Sequence, residues 1–277
     1  MSEPVGMPTS DGYGTRLLAT TWQPLVRLLR PPQVRPAAEG ARRMWRQLLL
    51  LDGIGIVLVL VLMVGFDATE IGLMPPRGTP SLWWVRILTD FGKDDYVLIL
   101  LGAAVVAAAV IAPLWSHASR ARLFTLGAQV QYLFLAVLVP LGCTQVLKWV
   151  IGRGRPFVGG KANAFNFQPF NGTEAYSSLP SSHAVTSFAL AFAVAAVWPR
   201  LTVPMYLYAI AIAATRLVLL AHHPSDVVAG ALVGVSGALV VRYWFAARQL
   251  GFAIGPGGRI VPRMGRFKGV DSRASAP

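Results

Sequence analysis

Charged residues are scarce in this chain. Asp, Glu, Lys and Arg make up 13% of its 277 residues, where a soluble globular domain carries about 25%. With 55% hydrophobic residues gathered in several long runs, that shortage excludes an ordinary soluble domain and implies an integral membrane protein. Acids are scarcest, 12 against 25 Lys and Arg, for a net charge of +13. The excess is not carried on a compact soluble domain, so membrane topology explains it better than nucleic-acid binding. Cys143 is the only cysteine and lies in an apolar run, which excludes an intrachain disulfide. The sequence has no group of residues at metal-ligand spacing and no repeat at a fixed period. Residues 1–46 are too polar, and too long before the first apolar run, for a simple signal peptide.

What is present is a series of apolar runs, at 48–66, 96–115, 124–147, 183–198, 201–221 and 227–245. They predict an all-α, polytopic membrane protein with six transmembrane helices. The flanking segments read as a cytoplasmic amino-terminal tail over 1–47 and a basic, poorly ordered cytoplasmic tail over 246–277. Thr20 to Leu29 has the pattern of an amphipathic surface helix, with a loosely ordered tail as the alternative. Residues 67–95 read as a loop holding Asp67, Glu70, Asp90, Asp94 and Asp95, with Trp83 and Trp84 on a short interfacial helix. Asp52 reads as an interfacial carboxylate, and His117 as a solvated residue of a cytoplasmic turn. An even number of spans puts both termini on one side. That side has seventeen Lys and Arg, counting Arg242 at the end of the last span, against eight on the other. The positive-inside bias therefore makes the termini cytoplasmic.

Five of the eight charges on the far side are Lys148, Arg153, Arg155, Lys161 and Arg216. They gather near the polar motifs, against the topological bias, so a local need for positive charge is implied there. Arg216, His222, His223 and Asp226 lie between two apolar runs, where an arginine is costly unless an anion or a partner meets it. Lys148 ends the third run, and Pro180-Ser181-Ser182-His183 opens the fourth. All these segments fall on the extracytoplasmic side, and helix ends packed together can share one site.

The residue types suit phosphate chemistry. Lys148, Arg155 and Arg216 would neutralise a phosphate and stabilise its equatorial oxygens, the arginines by two-pronged donation. The backbone N–H groups of Ser181 and Ser182 would bind an anion at a helix start, and the Ser181 hydroxyl could add a donor. His222 would attack phosphorus and form a phosphohistidine. Asp226 would hold its other ring nitrogen, and His183 would protonate the leaving oxygen and then activate water. Three cations supply the charge, so no metal and no cofactor is expected. His223 and Arg153 read as interfacial residues, Arg153 as a snorkelling anchor, and Lys161 as a solvated loop charge.

In order, Lys148 with Arg155-Pro156 six residues on, Pro180-Ser181-Ser182-His183, and Thr215-Arg216 with His222 and Asp226 resemble the three motifs of the type 2 phosphatidic acid phosphatase superfamily. These are membrane lipid phosphatases related to vanadium haloperoxidases. The resemblance covers roughly 48–245. It implies His222 as nucleophile, His183 as general acid, Asp226 as the residue orienting its histidine, and Lys148, Arg155, Ser181, Ser182 and Arg216 as phosphate ligands. Ser182 stands where the family has glycine, and Thr215 where it has serine. Ser182 would be strained if its φ were positive and harmless at an ordinary helix start, which is the favoured reading.

The expected function is hydrolysis of a lipid phosphate or diphosphate at the outer leaflet of a bacterial inner membrane. Isoprenyl diphosphate, glycerolipid phosphate and lipid A phosphate all fit, with the balance towards the first two. A phosphotransferase using a lipid or sugar acceptor, and a non-catalytic anionic-lipid transporter, are the competing readings. Lipid identity and oligomeric state are not written in the sequence.

Overall fold

The computed structural model describes residues 26, 28–32, 34–111, 114, 117–156, 158–159 and 163–262. The surface helix expected from Thr20 lies outside these residues up to position 25, as do Lys161 and the last fifteen residues of the basic tail. The fold is helical, with one small hairpin. In chain order it comprises α1 (Val34–Gly65), α2 (Asp67–Leu73), α3 (Trp83–Asp90), α4 (Asp94–Ile111), α5 (His117–Ile151), α6 (Ser182–Val197), α7 (Thr202–Val218) and α8 (Pro224–Ala247), then β1 (Phe252–Ile254) paired antiparallel with β2 (Ile260–Pro262).

Among the described residues, five helical segments are long and apolar enough to cross a membrane: Pro36–Gly65, Pro80–Ile111, Leu126–Ile151, Pro199–Val218 and Pro224–Ala247. The fourth expected span, α6, is apolar but only 16 residues long, roughly 24 Å at 1.5 Å per residue, short of a hydrocarbon core of about 30 Å. It is also the most enclosed helix, with Ala184, Val185, Ala189, Ala191 and Ala193 all fully buried. By contrast α1 and α4 turn Leu49, Ile54, Val57, Val61, Ile99, Leu100 and Val106 outwards. A large exposed apolar surface of this kind needs lipid to cover it.

The core lies where α5, α6 and α8 meet. Tyr132, Ala136, Val137 and Leu141 of α5 pack with Val185, Ala189 and Val197 of α6 and with Ala238, Val241 and Phe245 of α8. Glycines let α8 come close to α6. A Cβ on Gly230 would stand 2.6 Å from the Ser181 carbonyl oxygen, and one on Gly234 would stand 2.5 Å from that of Val185. Backbone cannot yield as a flexible side chain can. Gly234→Ala is therefore expected to cost about 1–3 kcal/mol by overpacking, read as a lower thermal midpoint of the purified protein. Gly142→Ala, on α5 with nothing within 4 Å of the added carbon, leaves the midpoint unchanged or raises it.

Several boundaries differ from those expected. The first helix begins at Val34 rather than near 48, because Ala37, Met44 and Leu48 are buried against the rest of the protein. The segment 67–95, expected as a loop, is mostly helical, and both Asp67 and Glu70 are buried in it. The start of the basic tail is ordered: Phe252 packs edge-on against Tyr132 at 4.7 Å between ring centroids. Asp52 accepts a bond from Ser236 at 2.6 Å, so it links α1 to α8. The segment around His117 belongs to α5 rather than to a turn.

Candidate active site

The three motifs meet at one end of the bundle. Lys148 ends α5, Ser182 and His183 open α6, Arg216 ends α7, and Asp226 lies in the first turn of α8. His222 lies in the short turn between α7 and α8. The Ser181 N–H donates to the Asp226 carbonyl at 3.0 Å, which ties the start of α6 to the start of α8. Gly230 leaves room for that approach.

Lys148, Arg155, His183, Arg216 and His222 share one electrostatic neighbourhood. Arg155 and Arg216 both act on Lys148 and on His222, and Lys148, Arg216 and His222 act on His183. Lys148 and Arg216 are each 9% exposed. Arg216 Nη1 donates to the Thr89 hydroxyl at 2.7 Å, while its Nε has no partner. The Ser181 hydroxyl and His183 Nε2 are also buried without partners. Arg155 pairs with the exposed Glu174 at 3.2 Å, a contact weak enough for a bound anion to replace. Buried polar atoms without partners beside several cations are the features that a candidate anion site requires.

His222 is almost fully buried. Its Nδ1 is 2.8 Å from the Ser178 carbonyl oxygen and 3.8 Å from Asp226 Oδ2. The expected direct bond from Asp226 is thus supplied by the Ser178 carbonyl, and Asp226 acts at longer range. A carbonyl only accepts, so Nδ1 carries the proton and Nε2 keeps its lone pair. Burial pushes the His222 imidazole down to about 4, against the opposing pull of Asp226. The ring is therefore neutral at physiological pH, as a nucleophile must be.

Two other expectations change. The Ser181 N–H is used by the Asp226 carbonyl, so the N–H groups that this helix start offers to an anion begin at Ser182, in the first turn, where no intrahelical carbonyl precedes them. Ser182 is not among the residues with positive φ, so it stands at an ordinary helix start without strain. His223 is not interfacial: it is fully buried, and its N–H donates to Asp226 Oδ2 at 2.9 Å.

The largest departure is Arg153. It is fully buried rather than snorkelling. Nη1 meets Asp226 Oδ1 and the Ser225 hydroxyl, each at 2.6 Å, and Nη2 meets Asp67 Oδ2 at 2.8 Å. Gly152, at φ 57°, makes the turn that aims it; a Cβ there would fall 1.8 Å from the Gln168 carbonyl oxygen. Burial, with the carboxylates of Asp67 and Asp226 nearby, pushes Glu70 up to about 7. Arg153 thus bridges the carboxyl groups of Asp67 and Asp226. Asp67, Thr89, Ser178 and Ser225 left no signal in the sequence, since none belongs to a motif. Among the described residues no group of three or more His, Cys, Asp or Glu could hold a metal ion.

Comparison with known proteins bears on these same segments. Residues 129–250 match the family described as the PAP2 superfamily. Two curated proteins named Lipid A 1-phosphatase, from Rhizobium johnstonii and Rhizobium etli, are 38% and 37% identical over 127 residues. The aligned stretch is 46% of this chain and 52% and 55% of theirs, so the chain spans about half the length of the curated relatives it matches. No solved structure matches.

Proposed function

We propose, for a chain whose residues 129–250 match the PAP2 superfamily, that it is a membrane phosphatase removing phosphate from a lipid phosphate or diphosphate through a phosphohistidine on His222. The observation that carries this is the 2.8 Å contact of His222 Nδ1 with the Ser178 carbonyl. It leaves Nε2 unprotonated beside a cluster of cations.

In this mechanism Nε2 forms a bond to phosphorus as the bond to the lipid oxygen breaks, and His183 gives that oxygen its proton. The cationic ring that results keeps its Nδ1–H on Ser178, with Asp226 3.8 Å away to stabilise the charge. His183, now neutral, takes a proton from water; the hydroxide attacks phosphorus and His222 leaves. Lys148, Arg155, Arg216 and the first-turn N–H groups from Ser182 bind the equatorial oxygens throughout. The cations supply the charge that a metal would otherwise bring, so no metal enters the scheme.

The imbalance of seventeen Lys and Arg against eight supports cytoplasmic termini, six crossings with α6 as the short one, and a site facing the periplasm of a bacterial inner membrane. Lipid A 1-phosphatase is the name of both relatives, which moves the favoured substrate from isoprenyl and glycerolipid phosphates to the 1-phosphate of lipid A. The purified protein, given lipid A, undecaprenyl diphosphate, phosphatidylglycerol phosphate and phosphatidate, is expected to release phosphate fastest from lipid A. It should do so in EDTA and be blocked by vanadate. Release abolished by chelation would contradict the scheme. The pH profile is a second check. The depressed pKa of His222 puts the acid limb of kcat/KM, below which the nucleophile is protonated, near 4. A limb near 6.5 would mean that burial does not hold the ring neutral.

A further inference from the structure

We infer that Arg153, held by Asp67, is a positioning residue for the reaction at His222, fixing both groups that lie behind the imidazole. The inference rests on the reading of His222 as nucleophile. One arm of the clamp is the side chain. Nε and Nη2 donate to the Ala164 carbonyl at 3.1 and 2.7 Å, Nη2 to Asp67, and Nη1 to Ser225 and Asp226. The other arm is its backbone. The Arg153 carbonyl accepts the Ser178 N–H at 3.0 Å. Ser178 in turn offers its carbonyl to His222 Nδ1 and its hydroxyl to Asp226 Oδ2 at 2.6 Å. One residue therefore sets the height of the Nδ1 acceptor and the orientation of the carboxylate beside it.

Asp67 completes the arrangement from α2. Its Oδ1 accepts the Ser225 N–H at 3.0 Å, and its Oδ2 accepts the Ser225 hydroxyl as well as Arg153. The start of α8, which carries Asp226, is pinned to the end of α1 through α2. All three guanidinium nitrogens have acceptors, and the fork spans partners that no single-point cation could reach together. None of these atoms has room to touch substrate, because Arg153, Asp67, Ser178, Ser225 and Asp226 are all fully buried. Their effect on chemistry must pass through His222. A ring displaced by a fraction of an ångström misdirects the Nε2 lone pair, and partners that orient a histidine at a metal centre are worth about 10–100-fold, the scale expected for the same orienting role.

Two variants test this. Arg153→Lys keeps the charge and loses the fork; Asp67→Asn keeps the shape and loses the charge. Each is expected to lower kcat about 10–100-fold while KM stays within about twofold, since no phosphate ligand is altered. Asp67→Asn should also move the acid limb of the pH profile to lower pH, because the Arg153 charge that Asp67 now shares is then left to Asp226, the acid that favours the imidazolium. The charged and titratable groups facing His222 are Asp226, Arg155, Arg216 and His183, and both variants leave them in place. A fold merely loosened would lose active protein without moving the limb. Wild-type kcat and an unmoved limb in Asp67→Asn would overturn the inference, whether or not Arg153→Lys folds. Loss of turnover in His222→Ala alongside such a result would leave the nucleophile assignment standing. Turnover retained in His222→Ala would overturn both.

Discussion

His222→Ala is expected to abolish turnover, lowering kcat by at least about 10⁴-fold, the scale on which removal of a covalent nucleophile acts. The lipid-phosphate affinity should change little. In the proposed scheme Lys148, Arg155, Arg216 and the first turn of α6 hold the anion independently of the ring, and truncating a neutral, almost fully buried imidazole removes no charge from the pocket. Single-turnover assays with a radiolabelled phosphate should trap an acid-labile phosphoprotein in the wild type and none in the variant. A variant that still turns over would remove the covalent mechanism. A variant that fails to bind would assign His222 to recognition rather than chemistry. The transporter reading makes the opposite forecast, since it needs the cations and has no use for an imidazole.

Arg216→Ala should lower kcat by roughly 10³-fold, the lower end of what a phosphate-stabilising arginine supplies in phosphoryl transfer. Arg216 is held by α3: Nη1 donates to Thr89 Oγ1, and the Thr215 hydroxyl reaches the same atom at 2.9 Å. Its Nε has no partner, so part of the fork is available to an incoming oxygen. Arg216→Lys preserves the charge but not the planar fork, and should recover only part of the loss. Thr89→Val leaves the guanidinium in place without its anchor and should cost roughly tenfold, about the worth of one hydrogen bond to a charged group. The comparison separates charge from aim. Equal losses in Arg216→Ala and Thr89→Val would mean that the site depends on α3 rather than on the cation. A loss below tenfold in Arg216→Ala would exclude it from the transition state.

The motifs were legible because each is short-range. Lys148 and Arg155, the Ser181–His183 segment, and Arg216, His222 and Asp226 lie within a few residues of one another, at spacings fixed by chemistry. Arg153 was misread for the same reason. Sequence spacing selects Arg155, and nothing local says that a neighbouring arginine turns inwards to carboxylates 86 and 73 positions away. Asp67 looked like one of several acids in a polar loop, and only burial separates it from the others. Ser178 was invisible because its contribution to His222 is a backbone carbonyl, which every residue possesses. The expected bond between Asp226 and His222 was nearly right in sequence terms, yet the shortest contact went to a group with no sequence identity at all.

Hydropathy and charge, properties summed along the chain, determined by themselves that this is a helical membrane protein whose polar motifs flank its apolar runs. Tertiary structure alone decided which charges are spent on one another and which stay free for an anion. The reason is that a cation's role depends on its partners. Arg153 is taken up within the protein because α2 and α8 bring it two carboxylates, while Arg216 is available because α3 brings it only a hydroxyl.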